Sequence, residues 1–263
     1  MPFMMTNGCK LYYSIVGQGI PILFIHPPLL THFNFEYQVK ELSSSYQIIT
    51  FDIRGHGRSS SSQQPLTYPL IADDMKRLLD HLNIEKAYIC GYSTGGTIAL
   101  EFLLKYSERA KGAILISGLS EISDWSLRSK IALARTLIRF KARSVLALYI
   151  SGTNMDTLAS FWNMVKEQQN GSAKNIEEYY QYSLSYNCTG QLAKIKIPVL
   201  LVYGLADQGF FRYAKLLHDK LPHNELKWIP GVKHQIPTKA ASELNGFIEQ
   251  FINAQQEQKE NEH

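Results

Sequence analysis

Ser93 stands in the motif Gly91-Tyr92-Ser93-Thr94-Gly95, between an apolar run and a helical pattern. The run AYICG before it predicts a strand, and TIALEFLLKY after it predicts a helix. At such a sharp strand-to-helix turn a serine hydroxyl is exposed, and the glycines at 91 and 95 relieve the crowding. The amide of Thr94, at the helix N-terminus, would then be placed to bind a developing oxyanion. The pattern predicts a nucleophilic serine, and a glycine-rich turn that merely contains a serine is the alternative.

A serine hydroxyl is a poor nucleophile near neutral pH, so it needs a base, and the base needs an acid to orient it. Asp207 lies in the loop GLAD just after the apolar run 198–203. His234 lies in the loop PGVKH after the run 225–229, and no other histidine separates that run from the final helical pattern. The two residues are therefore the candidate acid and base. Asp207 is also suited to cap the helix that follows it.

Other acids are available for the same role. Glu121 sits just past the apolar run 112–117 and is kept as the reserve acid. Asp124 follows it, but falls in a segment that reads as an insertion.

The elements that must position these residues alternate along the chain. Four of the apolar runs have no alternating polar residues, which is typical of strands that are covered on both faces of a sheet. Helical patterns separate them, which indicates an α/β fold with a mostly parallel sheet and helices on both faces. The predicted strands are 11–16, 21–26, 47–52, 87–91, 112–117, 198–203 and 225–229, and the predicted core helices are 68–82, 95–106, 208–220 and 238–253.

The alternation stops between 119 and 192, where no buried strand is predicted. Three helices, 126–149, 155–168 and 173–184, are expected there as a helical cap inserted between two strands of the sheet. The predicted organisation is a core of residues 1–118 and 193–254, a helical cap of residues 119–192, and a frayed polar tail of residues 255–263.

Composition narrows the classes of function. The net charge of +4 does not favour nucleic acid, which calls for a strongly basic face. Three scattered cysteines suggest neither disulfides nor a zinc site, and His26 and His32 lack a third metal ligand. The sequence shows no signal peptide and no apolar run of transmembrane length, so we expect a cytoplasmic protein without stable membrane insertion.

Further motifs give the sequence a recognisable pattern. FDIRGHGRS (51–59) follows an early strand, YGLADQ (203–208) carries Asp207, and GVKHQIP (231–237) carries His234. Together with the serine turn, these four motifs resemble, in order and spacing, those of the α/β-hydrolase superfamily, and the resemblance covers nearly the whole chain. It implies that Ser93 is the nucleophile, His234 the general base and Asp207 its orienting acid.

One motif departs from that pattern. The superfamily usually has His-Gly-x after the strand that here is PILFIH, and residue x donates the second oxyanion N–H. This chain has His26-Pro27-Pro28-Leu29, which puts Pro28, without an N–H, at the donor position. Either the hole has one backbone donor, or Leu29 takes over, and we expect Leu29.

Several other groups invite a functional interpretation but favour a structural one. His26, His56, Asp52, Arg54 and Arg58 are expected to hold loops together. A basic segment suggests a helix that docks on anionic lipid or guides an anionic substrate, but a cap helix with a solvated face is the favoured interpretation. Its cations are Arg128, Lys130, Arg135, Arg139, Lys141 and Arg143.

The predicted function is a carboxylesterase-like serine hydrolase that cleaves a small or medium ester, lactone or thioester without a cofactor. The alternatives are carbon–carbon bond, amide or perhydrolase chemistry at the same site. A ligand-sensing protein that keeps the triad, turns over slowly and signals through a partner is also kept open. A homodimer is likewise left open.

Overall fold

The computed structural model describes residues 2–261 and is built on one sheet of eight strands. The strands are β1 (Phe3–Thr6), β2 (Cys9–Val16), β3 (Ile20–Ile25), β4 (Tyr46–Phe51), β5 (Ala87–Tyr92), β6 (Ala110–Ile116), β7 (Val199–Gly204) and β8 (Asn224–Ile229). Their order is β1-β2-β4-β3-β5-β6-β7-β8. β3 to β8 are mutually parallel, and β1 and β2 form an antiparallel edge. The predicted mostly parallel α/β sheet is confirmed.

Helices cover both faces of this sheet, as the non-alternating strands predict. On one face, α2 (Tyr68–His81), α3 (Thr94–Lys105) and α8 (Phe211–Lys220) bury their apolar side chains. On the other face, α1 (Glu36–Leu42), α9 (Ile236–Lys239) and α10 (Ala241–Asn261) do so. β5 and β7 are buried along their whole length. The central strands are therefore rigid supports for the loops at their carboxyl ends.

Four helices lie between β6 and β7, in the segment expected to form a cap. They are α4 (Trp125–Arg139), α5 (Arg143–Asn154), α6 (Leu158–Gln168) and α7 (Ala173–Ser185). The two ends of the segment meet at an isolated bridge between Glu121 and Asn187, and the Cys188 amide donates to the Ser120 carbonyl at 3.0 Å.

The single helix predicted over 126–149 is wrong, because the chain turns between α4 and α5. Lys141 has a φ of 61°, and the amides of Lys141 and Ala142 donate back to the carbonyls of Ile138 and Leu137. This left-handed helix end usually takes glycine, so a lysine there gives no sequence signal.

Three further parts of the chain differ from the expectation. β1 was missed, although the Asn7-Gly8 turn with positive φ at both residues is a hairpin signal. α1 was also missed. A frayed tail was expected from residue 255, but α10 continues through Asn261. The helix continues because Gln, Glu and Lys have good helix propensity. Residues 262–263 of that tail lie outside the described residues.

Candidate active site

Ser93 occupies the sharp turn between β5 and α3, with φ 54° and ψ −123°. Such a backbone conformation is strained for a residue with a side chain and needs close packing to hold it. A Cβ on Gly91 would lie 2.4 Å from the Gly95 carbonyl oxygen, and a Cβ on Gly95 would lie 2.3 Å from the Ile25 carbonyl oxygen. The Ser93 amide donates to the Ile116 carbonyl at 2.8 Å. Glycines at 91 and 95 are therefore required by contact with backbone, as the motif predicts.

The structure brings Ser93, His234 and Asp207 into one hydrogen-bonded row. His234 Nε2 lies 2.9 Å from Ser93 Oγ, and His234 Nδ1 lies 3.0 Å from Asp207 Oδ2. Since the carboxylate can only accept, Nδ1 carries the proton and Nε2 accepts from the serine hydroxyl. The side chains of His234 and Asp207 are 23% and 19% exposed. The row is thus mostly enclosed but reachable from solvent.

The loops after β7 and β8 hold the acid and the histidine against each other. A Cβ on Gly204 would lie 2.3 Å from the Val232 carbonyl oxygen, and the Ala206 amide donates to that same oxygen at 3.0 Å. The Phe210 ring lies 4.2 Å from the His234 ring, centroid to centroid. The loop after β6 contributes too, because Ser117 Oγ donates to the His234 carbonyl at 3.3 Å. Ser117, with its φ of 46°, was missed by sequence analysis, and its place directly after β6 was the available signal.

The loop after β3 lies beside the serine turn, because Gly95 packs on the Ile25 carbonyl. Pro28 and Leu29 form a turn in this loop. Leu29 is buried, has a φ of 68°, and its amide makes no hydrogen bond with any residue in the range 2–261. As the first residue of α3, Thr94 has an amide that no helical carbonyl accepts. The two amides expected to bind an oxyanion therefore both remain available.

Comparisons with known proteins agree with this architecture. A family model described as the alpha/beta hydrolase fold matches residues 20–137. The AB hydrolase superfamily protein YisY of Bacillus subtilis is 27% identical, over 93% of this chain and 96% of that protein. The 3-oxoadipate enol-lactonase 2 of Acinetobacter baylyi is 26% identical, over 87% of this chain and 90% of that protein. The solved esterase EaEST from Exiguobacterium antarcticum matches with a TM-score of 0.87 at 18% identity, over 95% of this chain and 98% of that one.

The chain has the α/β-hydrolase fold.

Within this fold, a tyrosine of the inserted segment reaches the serine turn. Tyr179 of α7 is 1% exposed, accepts from Thr94 Oγ1 at 3.4 Å and donates to the His26 carbonyl at 3.4 Å. Tyr179 therefore links Thr94, which carries one of the two available amides, to the loop after β3, which carries the amide of Leu29. The sequence did not predict this position for Tyr179, because nothing local to α7 shows which part of the core its side chains reach.

The structure does not bring the reserve acids to His234. The Glu121 carboxylate accepts from Asn187 Nδ2 at 2.7 Å and from Thr189 Oγ1 at 2.8 Å, at the base of the inserted segment. Asp124 caps α4 and accepts from the Tyr213 hydroxyl at 2.6 Å. Of the three candidate acids, Asp207 is the one in contact with the histidine.

The loop 51–59 is structural, as expected. Asp52 is buried and accepts from the His32 amide and Nδ1, both at 2.8 Å, and from the Arg58 amide at 2.9 Å. Burial opposes ionisation and is the largest single influence, but the hydrogen bonds from His32 and Arg58 and the charge interactions with the neighbouring histidines together hold the pKa of Asp52 below its ordinary value. Arg54 forms a buried ion pair with Asp74.

Two buried histidines in this region stay neutral. His26 Nε2 accepts from the Ile53 amide at 2.9 Å, so its Nδ1 carries the proton and donates to the Pro27 carbonyl at 2.9 Å. His56 Nδ1 lies 3.1 Å from the Arg54 carbonyl, to which it donates. Burial lowers the pKa of His26 to about 4 and that of His56 to about 3. Neither imidazole contacts Ser93.

Among the described side chains, those of residues 2–258, no group of three or more His, Cys, Asp or Glu is arranged to hold a metal ion. No helix within residues 2–261 has the length and apolarity needed to cross a bilayer.

Proposed function

We propose that the protein is a serine hydrolase that cleaves carboxylic esters or lactones through an acyl-enzyme. The observation that carries this proposal is the position of His234, which is within hydrogen-bond distance of Ser93 Oγ through one ring nitrogen and of Asp207 through the other. That arrangement supplies a nucleophile, a base and an orienting acid.

In the proposed reaction, Ser93 Oγ attacks the carbonyl carbon while its proton moves to His234 Nε2. Asp207 stabilises the imidazolium that results. The carbonyl oxygen becomes an oxyanion, which the amides of Thr94 and Leu29 are proposed to bind. The carbon–oxygen bond to the alcohol then breaks, and the leaving oxygen takes the proton from Nε2. Water next gives a proton to Nε2 and attacks the acyl carbon. The bond between that carbon and Ser93 Oγ then breaks, Oγ takes the proton from Nε2, and the carboxylic acid is released.

The similar proteins carry names of several chemistries, among them a chloroperoxidase and a carbamate hydrolase, and the ester and lactone classes are included. One similar protein is called an enol-lactonase and one similar structure an esterase. Position 93 is serine, whereas haloalkane dehalogenase or epoxide hydrolase chemistry in this superfamily would require aspartate there.

Labelling with a fluorophosphonate probe, followed by peptide mapping, tests the proposal without knowledge of the natural substrate. We expect the label on Ser93, and hydrolysis of p-nitrophenyl acetate or butyrate that Ser93→Ala abolishes. Ser44→Ala is the matched control, because the Ser44 hydroxyl is exposed and donates to the Glu41 carbonyl away from the site. Absence of both labelling and turnover in the wild type would reject the proposal.

A slow-turnover ligand sensor is the second candidate, and the proline at position 28 is the observation that favours it. If the amide of Leu29 does not replace the missing donor, the rate would be lower by on the order of a hundredfold or more. Stoichiometric labelling of Ser93 together with a burst of p-nitrophenol and negligible steady-state turnover would support the sensor.

A further inference from the structure

The inserted helices expose several large apolar side chains among their polar ones. On α4, Trp125 and Leu133 are 81% and 60% exposed, and Phe140, which follows the helix, is 77% exposed. Val145, Leu148 and Tyr149 of α5 and Leu158 and Trp162 of α6 are also exposed. α5 packs against both α4 and α6, so three neighbouring helices each leave an apolar strip uncovered. We call these eight residues the cap face.

The turn at residues 140–142, between α4 and α5, creates part of this face. With the helix ended at Arg139, α5 buries Leu146 and Ala147 inward beside Leu29 and turns Val145, Leu148 and Tyr149 outward. Exposed apolar clusters of this kind on a folded protein mark surfaces that meet another surface.

The charges around the cap face are almost all positive. Residues 125–166 contain seven Lys or Arg and a single acid, Asp156, which accepts a hydrogen bond from Tyr37. Lys130, Arg139 and Lys141 are exposed, and within the described chain no carboxylate pairs with them. Apolar side chains bordered by unpaired cations are suited to a membrane surface, where anionic head groups cover an apolar acyl-chain region.

We propose that the cap face binds the surface of a bilayer that contains anionic phospholipid. The exposed aromatic and aliphatic side chains enter the boundary between head groups and acyl chains, and Lys130, Arg139 and Lys141 contact the anionic head groups. The binding is peripheral and independent of the chemistry at Ser93.

Tryptophan emission reports on this contact directly. Two of the three tryptophans, Trp125 and Trp162, are on the cap face, whereas Trp228 of β8 is partly buried and packs against Phe211, outside the inserted segment. The experiment adds vesicles of phosphatidylcholine alone, or of phosphatidylcholine mixed with phosphatidylglycerol, to the full chain, and measures co-sedimentation and emission. We expect binding and a blue shift with the mixed vesicles, weakened by added salt, and neither effect with phosphatidylcholine alone.

Two triple variants separate the charges from the apolar contacts. Lys130→Glu with Arg139→Glu and Lys141→Glu should weaken binding by on the order of a hundredfold. Phe140→Ser with Tyr149→Ser and Trp162→Ser should abolish binding, and because all three side chains are exposed the fold should survive. The control makes the same charge change at exposed positions outside the inserted segment and should bind like the wild type. It combines Lys86→Glu, Lys196→Glu and Lys220→Glu.

Four kinds of result would overturn the proposal. One is equal binding to both kinds of vesicle, or none to either. Another is an equal loss of binding in the control triple variant. The third is a wild-type dimer in light scattering that the apolar variant converts to monomer while vesicles are not bound, because a second copy would then cover the face. Binding to duplex DNA without an emission shift would likewise assign the cations to a different partner.

Discussion

The imidazole of His234 is held at both nitrogens, and this fixes which of them can take a proton. Replacing Asp207 by Asn leaves a side chain of the same size but allows an N–H to point at Nδ1, which favours the tautomer with the proton on Nε2. That tautomer cannot accept from Ser93. We expect Asp207→Asn to lower kcat for ester hydrolysis by about 10³–10⁴-fold, as loss of the orienting acid does in other triads.

Glu121→Gln is the matched control for that prediction. It makes the same carboxylate-to-amide change in the reserve acid, whose partners are Asn187 and Thr189. We expect it to leave kcat and KM for p-nitrophenyl butyrate near the wild-type values. A large loss in Glu121→Gln and a small one in Asp207→Asn would contradict the assignment.

The proline at position 28 allows the source of the second oxyanion donor to be tested. Pro28→Ala adds an N–H at the position that usually donates in the superfamily, without removing the Leu29 amide. If Leu29 already donates, as proposed, kcat/KM should change little. If the site has only the Thr94 amide, the new N–H should raise kcat/KM by on the order of a hundredfold. Steady-state kinetics with one activated ester decides between these outcomes.

The turn between β5 and α3 depends on backbone contact, and substituting its glycines tests this. A Cβ at residue 95 would lie 2.3 Å from a carbonyl oxygen of β3, which cannot move without disturbing the centre of the sheet. We expect Gly95→Ala to lower the free energy of unfolding by about 2–3 kcal/mol and to displace Ser93. Gly246→Ala, in α10 with open space around its Cα, should instead stabilise by about 0.5–1 kcal/mol. Urea unfolding compares the two, and equal effects would refute the contact argument.

The elements that the sequence predicts well are those whose pattern is set by burial in the sheet. β3, β5, β6 and β7 are apolar because both of their faces are covered. Ser93 follows β5 and Asp207 follows β7, while His234 follows β8, the strand at the edge of the sheet. The end of α4 was not predictable in this way, because a lysine adopts the left-handed conformation there. The contacts of Tyr179 were not predictable either, because they depend on how α7 docks on the core.

The core and the inserted helices are joined through the loops after β3 and β4. Leu29 packs among the apolar side chains of α4, α5 and α7. Arg58 forms an ion pair with Glu167 of α6, and the Ser172 amide donates to the Gly55 carbonyl at 2.7 Å. The same loops carry the buried neutral histidines. Protonating those histidines should therefore affect the stability of the whole molecule.

This gives stability a definite dependence on pH. His26 and His56 have folded-state pKa values of about 4 and about 3, against an ordinary value of 6.5, so below pH 6.5 the unfolded chain binds protons that the native state does not. The two histidines therefore make their full contribution to the free energy of unfolding above pH 6.5. That free energy falls with acidification, by up to about 1.4 kcal/mol per pH unit for each histidine.

The variant His56→Asn tests this dependence, because it removes one of the two histidines and keeps a donor for the Arg54 carbonyl. We expect urea unfolding between pH 7 and pH 4.5 to show a shallower slope in His56→Asn than in the wild type. Any other group that titrates in this range does so in both proteins, so equal slopes would show that His56 is protonated in the native state.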